Sequence, residues 1–317
     1  MTIKALFYNG ENLEFINRNI PQPDKDEVLI KVKMAGICGT DLEIQAGYKN
    51  FVGIPGHEFV GIVEKDPSCK FTDKRVTAEI NIPCNDCYLC KSGKKNHCVN
   101  RKVVGMLNKD GAFSEYMTIK RENLHVIPEK VSDLEAVFIE PLAAVLEIPE
   151  KIHIKLTDSI IVLGDGKLGL LTAVTLHHLG YNISIIGKHQ QKLAIAAEYD
   201  IPAFLLNENT EKYDIAIDTT GSKSGIRDAL KAVKPEGTAV LKTTVADKTF
   251  LDLSQIAVNE LSIIGSRCGP FAAAIRLLSL HDLKLHKLVE KIFNFDNALK
   301  AFQYAEEKGP LKIILQF

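Results

Sequence analysis

Residues 34–61 read MAGICGTDLEIQAGYKNFVGIPGHEFVG. This stretch brings a thiol at Cys38, an imidazole at His57 and a carboxylate at Glu58 into short, glycine-rich, strand-like segments. Sulfur, nitrogen and oxygen donors together form a borderline-soft ligand set, for which zinc is the usual metal. A catalytic zinc takes three protein ligands and keeps one position open. Cys38 and His57 supply two ligands, and the third is Glu58 or a carboxylate farther along the chain. Cys38 lies between Gly36 and Gly39, where the backbone can bend tightly and approach a bound group.

The flanking segments read as strands. EVLIKVKMA (27–35) alternates, with Val28, Ile30 and Val32 on one face, and FVGIVEK (59–65) follows the His-Glu pair directly. IPCNDCYLCKSGKKNHC (82–98) then places Cys84, Cys87, Cys90 and Cys98 in a C-x2-C-x2-C-x7-C pattern. Such spacings let neighbouring sulfurs converge, and four thiolates close a tetrahedral site with no room for water. That makes a structural zinc. An iron–sulfur cluster is the other metal reading, and the zinc-type set nearby argues against it. His97 could replace Cys98, while Cys69 and Cys268 are expected to be packed thiols. Farther on, SDLEAVFIEPLAAVLEI (132–148) opens with Ser132 as N-cap and reads as a helix interrupted near Pro141. Glu140 stands there among apolar residues and needs a partner if buried, for which a zinc ion would serve.

The pattern changes near residue 155. SIIVLG (159–164) is an apolar strand, GDGKLG (164–169) a glycine-rich turn, KLGLLTAVTLHHLG (167–180) a helix stopping at Gly180, and NISII (182–186) a second strand. Strand, G-x-G-x-x-G, helix and strand in this order form a dinucleotide-binding unit, with Gly164, Gly166, Lys167, Leu168 and Gly169 beside the pyrophosphate. Free amides and the dipole at the helix N-terminus favour that anion. An acidic residue normally ends the second strand and binds the adenosine ribose diol. Here Gly187 takes that place, followed by Lys188 and His189. With no carboxylate expected there and two groups able to be cationic, NADP is preferred over NAD. Strands and helices continue to alternate: QQKLAIAAEY, DIAIDTTG, SGIRDALKAV, a Pro235-Glu236-Gly237 turn, TAVLKT and ELSIIGS. The fold class is therefore α/β, with a doubly wound parallel sheet. Thr219 and Thr220 end one strand, Gly265 and Ser266 another, and all four are cofactor-lining candidates. The tail LKIILQF (311–317) has the strand character of the first half and is expected to pack back onto it.

The 317 residues, 46% hydrophobic and 25% charged, suffice for about two domains with their own cores. A net charge of −1 points away from nucleic acid. The start MTIKALFYNGENLEF alternates like a strand and lacks the core of a signal peptide. No apolar run approaches the roughly 18 residues of a membrane helix, and the expected location is the cytoplasm. Seven cysteines in such a chain speak for metal or catalysis rather than disulfides.

AGICGTD, GHEFVGIV, the four-cysteine lobe, GAFSEY, IEPLA, GDGKLG and DTTG occur in the order found in one family. The chain resembles the zinc-containing medium-chain dehydrogenases, which include alcohol, sorbitol, glucose and threonine dehydrogenases. The resemblance implies a mostly β, GroES-like catalytic domain over residues 1–145 and 282–317, carrying the lobe 84–98. It implies a Rossmann domain over residues 146–281 and an active site in the cleft between the two. It assigns Cys38 and His57 to a catalytic zinc, offers Glu58 or Glu140 as the third ligand, and gives Thr40 the relay of the alcohol proton. Glu43 stands where many members have His. Two zinc ions per chain, NADP or NAD, and a small alcohol, aldehyde or ketone are the implied ligands. A homodimer or homotetramer formed through the Rossmann sheet edge is the implied assembly. The implied reaction passes a hydride between alcohol and NAD(P). The rival readings are a zinc- and dinucleotide-binding relative without turnover and a zinc-free reductase, which would lack the ligand set.

Overall fold

The computed structural model describes residues 2–244 and 248–317. The chain divides into two compact units, Met1–Glu140 with Phe271–Phe317, and Pro141–Pro270. These divisions fall five and eleven residues earlier than the expected 145/146 and 281/282. The second difference is the larger, and it comes from the helix Phe271–Leu280, which groups with the first unit. The Phe271 ring at its start stacks on His125, centroids 5.5 Å apart.

The first unit opens with the antiparallel pair β1 (Thr2–Tyr8) and β2 (Leu13–Asn19). Next come β3 (Glu27–Ile37), α1 (Gly39–Gln45), β4 (Glu58–Lys65) and β5 (Arg75–Ala78). The lobe holds β6 (Asn81–Ile82), α2 (Tyr88–Lys91) and β7 (Lys102–Val103). β8 (Tyr116–Lys120), β9 (Leu124–Val126) and α3 (Asp133–Val137) follow. As expected from its sequence, α3 is capped by Ser132, whose hydroxyl accepts from the Glu135 amide. α4 (Ile139–Lys151) restarts the helix with Pro141 in its first turn, where a missing N–H costs nothing.

The second unit holds β10 (Ser159–Leu163), α5 (Lys167–His178), β11 (Asn182–Gly187), α6 (Gln190–Ala197), β12 (Ala203–Leu205) and β13 (Tyr213–Asp218). It continues with α7 (Gly225–Ala232), β14 (Val233–Leu241), α8 (Leu253–Val258) and β15 (Ser262–Gly265). Its sheet runs β12-β11-β10-β13-β14-β15, with every pairing parallel. The order reverses between β10 and β13, and ligands bind outside the strand ends at such a switch point. The expected Pro235–Gly237 turn lies inside β14, where the register shifts and Glu236 takes a φ of 64°. The strand absorbs the turn signal as a bulge.

The chain then returns to the first unit through α9 (Phe271–Leu280), β16 (Val289–Asn294), α10 (Ala298–Lys308) and β17 (Lys312–Gln316). The central sheet there runs β16-β17-β3-β4-β5-β9, with β8 also paired to β3. β17 pairs antiparallel with β3, matching Ile313 to Ile37 and Ile314 to Gly36, and β3 in turn matches Gly36 to Glu58 on β4. This register sets residues from both ends of the chain beside the Cys-His-Glu segment.

Gly169 packs α5 onto the end of β10: a Cβ there would overlap the Gly164 carbonyl and stand 2.7 Å from the Thr219 hydroxyl. At Gly166, by contrast, a Cβ would meet nothing within 4 Å. Urea unfolding should therefore show Gly169→Ala destabilised by more than about 2 kcal/mol, as overpacking against backbone dictates. Gly166→Ala should stay within about 1 kcal/mol of the wild type.

Candidate metal centre and dinucleotide site

Cys38 is the N-cap of α1, and Asp41, one turn into that helix, is fully buried. Asp41 Oδ2 accepts the Cys38 amide at 2.8 Å, and Oδ1 accepts the Gly56 amide at 3.2 Å. Oδ1 also faces His57 Nδ1 at 3.4 Å. One carboxylate thus ties the cysteine turn to the loop that carries the histidine. Donor atoms of Cys38, His57 and Glu58 all lie within 4.8 Å of one another. The Thr40 hydroxyl is 4.0 Å from the Cys38 sulfur. Glu140, the other candidate third ligand, stays outside this set, at the start of α4.

Glu58 is paired instead with a residue at the far end of the chain. Lys312 on β17 donates to Glu58 Oε2, both side chains being nearly inaccessible at 3% and 1%. Its ammonium also sits 5.6 Å from the Phe138 ring centre. The path crosses β3 over Gly36, where a Cβ would stand 2.5 Å from Glu58 Oε2 and 2.8 Å from Val137. Burial works against the Lys312 charge, but Glu58, Cys38 and Glu140 outweigh it and raise its pKa. Burial also disfavours an imidazolium at His57, yet Asp41 and Cys38 hold that pKa well above its ordinary value.

The donor set fits zinc: one sulfur, one nitrogen and one carboxylate oxygen, with a second carboxylate behind the histidine. Such an outer carboxylate fixes the ring orientation and tautomer of a ligating histidine.

In the lobe, donor atoms of Cys84, Cys87, Cys90 and Cys98 also fall within 4.8 Å of one another. The sulfurs of Cys87 and Cys90 are 3.5 Å apart, those of Cys87 and Cys98 3.8 Å, and those of Cys84 and Cys98 3.4 Å. A tetrahedral site with Zn–S of about 2.3 Å needs sulfurs about 3.8 Å apart, whereas a disulfide needs about 2 Å. The Cys84 and Cys87 amides point at sulfurs of the set, at 3.3 and 3.4 Å. Amide hydrogen bonds from Asp86 and Cys87 lower the Cys84 pKa, and those from Cys90 and Val99 lower that of Cys87. Burial raises that of Cys90.

In the second unit a cavity of about 830 Å³ opens at the switch point. Gly164, Gly166, Gly187, Lys188, His189 and Thr219 are among its lining residues, and so is Thr220. Lys167 and Leu168 open α5 behind the turn. The open space over Gly166, at the N-terminus of a twelve-residue helix, suits a pyrophosphate. Thr219 Oγ1 donates to the Leu163 carbonyl at 2.7 Å, so this hydroxyl holds β13 to β10. Thr220 Oγ1 donates to Asp218 at 2.8 Å. Gly265 and Ser266 lie outside the lining of this cavity, and the Ser266 hydroxyl accepts from Lys242. The strand end at Gly187 is not empty, contrary to the expectation from sequence. The Asp165 carboxylate, from within the glycine-rich turn, lies against Gly187.

Residues 24–129 match the alcohol dehydrogenase GroES-like domain, and residues 168–280 match the zinc-binding dehydrogenase family. An L-threonine 3-dehydrogenase of Coxiella burnetii is 31% identical, with 94% of each chain covered. The chain belongs to the zinc-containing medium-chain dehydrogenases. A D-arabitol-phosphate dehydrogenase of Enterococcus avium is a further relative, 29% identical over 96% of this chain and 94% of its own. Among solved structures, an alcohol dehydrogenase from Escherichia coli CFT073 complexed with NADH superposes with a TM-score of 0.92 at 28% identity, covering 100% of this chain and 99% of that one. A zinc-binding dehydrogenase from Sinorhizobium meliloti 1021 bound to NADP has a TM-score of 0.90 at 26% identity, with both chains fully covered at 100%.

Sequence reasoning missed three charged residues that hold these groups in place in this medium-chain dehydrogenase: Asp41, Lys312 and Asp165. For Asp41 a signal existed, since it stands three residues after Cys38 and can reach back to the amide of an N-cap. Asp41→Asn should weaken zinc binding at the Cys38-His57 site by about 10- to 100-fold. After dialysis against a mild chelator, metal analysis should then fall from about two zinc ions per chain to about one, the lobe keeping its own. Retention of both ions would mean that Asp41 does not support the ligating histidine.

Proposed function

We propose that this chain is a zinc-dependent alcohol dehydrogenase that moves a hydride between a small alcohol and NAD(P). The observation carrying the reading is the convergence of Cys38, His57 and Glu58 donor atoms within 4.8 Å. Cys38, His57 and Glu58 would hold the catalytic ion, and the four lobe cysteines a structural one. When bound, zinc supplies a Lewis acid for the alcohol oxygen and the nicotinamide supplies the hydride acceptor. Thr40, beside the Cys38 sulfur, accepts the alcohol proton by a hydrogen bond. Asp41 orients the His57 ring, and Lys312 balances the buried charge of Glu58. The glycine-rich turn binds the pyrophosphate at the α5 N-terminus.

The substrate class is a polyol or another small primary or secondary alcohol. The activities named for its sugar-alcohol and threonine relatives support that range. The seven free cysteines suit the reducing cytoplasm. Among the described residues no helix is long and apolar enough to cross a membrane. Self-association through β15, at the edge of the parallel sheet, accounts for the nearby exposed Phe250, Leu253 and Val258. The assembly is a homodimer or homotetramer.

The test is a panel of alcohols, aldehydes and ketones with NADP and with NAD, following reduced-nicotinamide absorbance. Turnover of at least one alcohol is expected. Zinc and dinucleotide binding with no turnover across the panel would favour the non-enzymatic reading. Cys38→Ser and His57→Ala should each abolish turnover by about three orders of magnitude or more, with an unchanged circular dichroism spectrum. Loss of the fold in these variants would count against a purely catalytic ion.

A further inference from the structure

β11 ends at Gly187 beneath the side chain of Asp165. A Cβ on residue 187 would collide with Asp165 Cβ and its carboxylate, whose Cγ would stand 2.5 Å away. Asp165 Oδ2 accepts the Lys188 amide at 2.7 Å and the His189 amide at 2.6 Å. His189 Nδ1 lies 3.0 Å from Oδ1 and 3.1 Å from Oδ2. An ionised carboxylate only accepts, so Nδ1 carries the proton of this hydrogen bond. The Asp165 side chain is 9% exposed while that of His189 is 58% exposed. The carboxylate is therefore engaged by the turn beneath it, and the ring it holds faces outward.

The place where a strand-end carboxylate would accept a ribose diol is thus filled, and filled by a group whose acceptor positions are largely taken. The turn held by Asp165 instead presents cations: Lys188 and, four residues on, Lys192 line the cavity at the switch point, along with the His189 ring. A rim of that composition suits a phosphate rather than a diol.

We propose that Asp165 is a positioning residue that selects NADP over NAD. It clamps the Gly187–His189 turn so that Lys188 and Lys192 receive the phosphate on the adenosine ribose, and it bars position 187 to any acidic side chain. The proposal rests on the dinucleotide-binding reading above and adds the choice between the two cofactors.

Fluorescence titration of the zinc-loaded protein with NADPH and with NADH tests it. The wild type should bind NADPH at least about tenfold more tightly, the worth of one charge-assisted hydrogen bond. Asp165→Ala should remove most of that ratio, weakening NADPH more than NADH. Asp165→Asn keeps one accepting oxygen and should fall between, and it serves the same purpose if the alanine variant does not fold. Gly187→Asp should lower the thermal unfolding midpoint in the wild-type background but not in Asp165→Ala, and the double variant should prefer NADH. Equal loss of both cofactors in Asp165→Ala and Asp165→Asn, or a wild type that prefers NADH, would overturn the proposal and leave dinucleotide binding intact. A wild type that binds neither cofactor would overturn both.

Discussion

A single buried carboxylate ties together the two segments that carry Cys38 and His57. Asp41 takes hydrogen bonds from the backbone amides of Cys38 and Gly56, and stands behind the His57 ring. Hydrogen bonds to a charged group are worth about 1.5–3 kcal/mol each, and an unpaired buried carboxylate would cost more than that. The two segments therefore cannot separate without stranding a charge. Cys38 and His57 owe their proximity to this constraint more than to any direct attraction. Glu58 is placed differently, by sheet register. β17, β3 and β4 line up Ile314, Gly36 and Glu58 across three strands, and the absence of a side chain at Gly36 leaves a passage through which Lys312 reaches Glu58. A cation 254 residues away in sequence thus neutralises the carboxylate.

The same economy governs the second unit. Gly169 lets α5 approach the strand end, Thr219 closes β13 onto β10, and Asp165 closes the glycine-rich turn onto the end of β11. The first seats a helix on a strand end and the other two tie neighbouring strand ends of the parallel sheet together, beside the cavity. Electrostatic preorganisation of this sort lets a site bind an anion without reorganising its own dipoles.

Much of this was legible in the chain because it depends on local spacing. The four cysteines, the Cys38 and His57-Glu58 segments and GDGKLG announce their chemistry within a few residues each, and the folded protein brings each group together. What was not legible depends on register and on side-chain reach. Lys312 reads as an ordinary strand residue until β17 is laid against β3. Asp165 is an unspecified position of a glycine motif until β11 ends beneath it, which is why the strand end at Gly187 looked empty. Glu58 and Glu140 read alike for the same reason: both follow or begin apolar segments, and it is the pairing of β4 with β3 that sets Glu58 near Cys38. The Pro235–Gly237 turn signal was real but weaker than parallel pairing on both sides of β14, so the strand kept it as a bulge.

One divalent ion gathered by Cys38, His57 and Glu58 behind the Asp41 clamp is what the proposed chemistry requires above all. Anomalous diffraction at the zinc edge, from crystals of the protein purified without chelator, measures this directly. One peak is predicted among the four lobe sulfurs. A second is predicted within about 2.0–2.3 Å of Cys38 Sγ, a His57 ring nitrogen and a Glu58 oxygen. A second peak ligated by Glu140 in place of Glu58, or no peak at Cys38 while the lobe is filled, would contradict it.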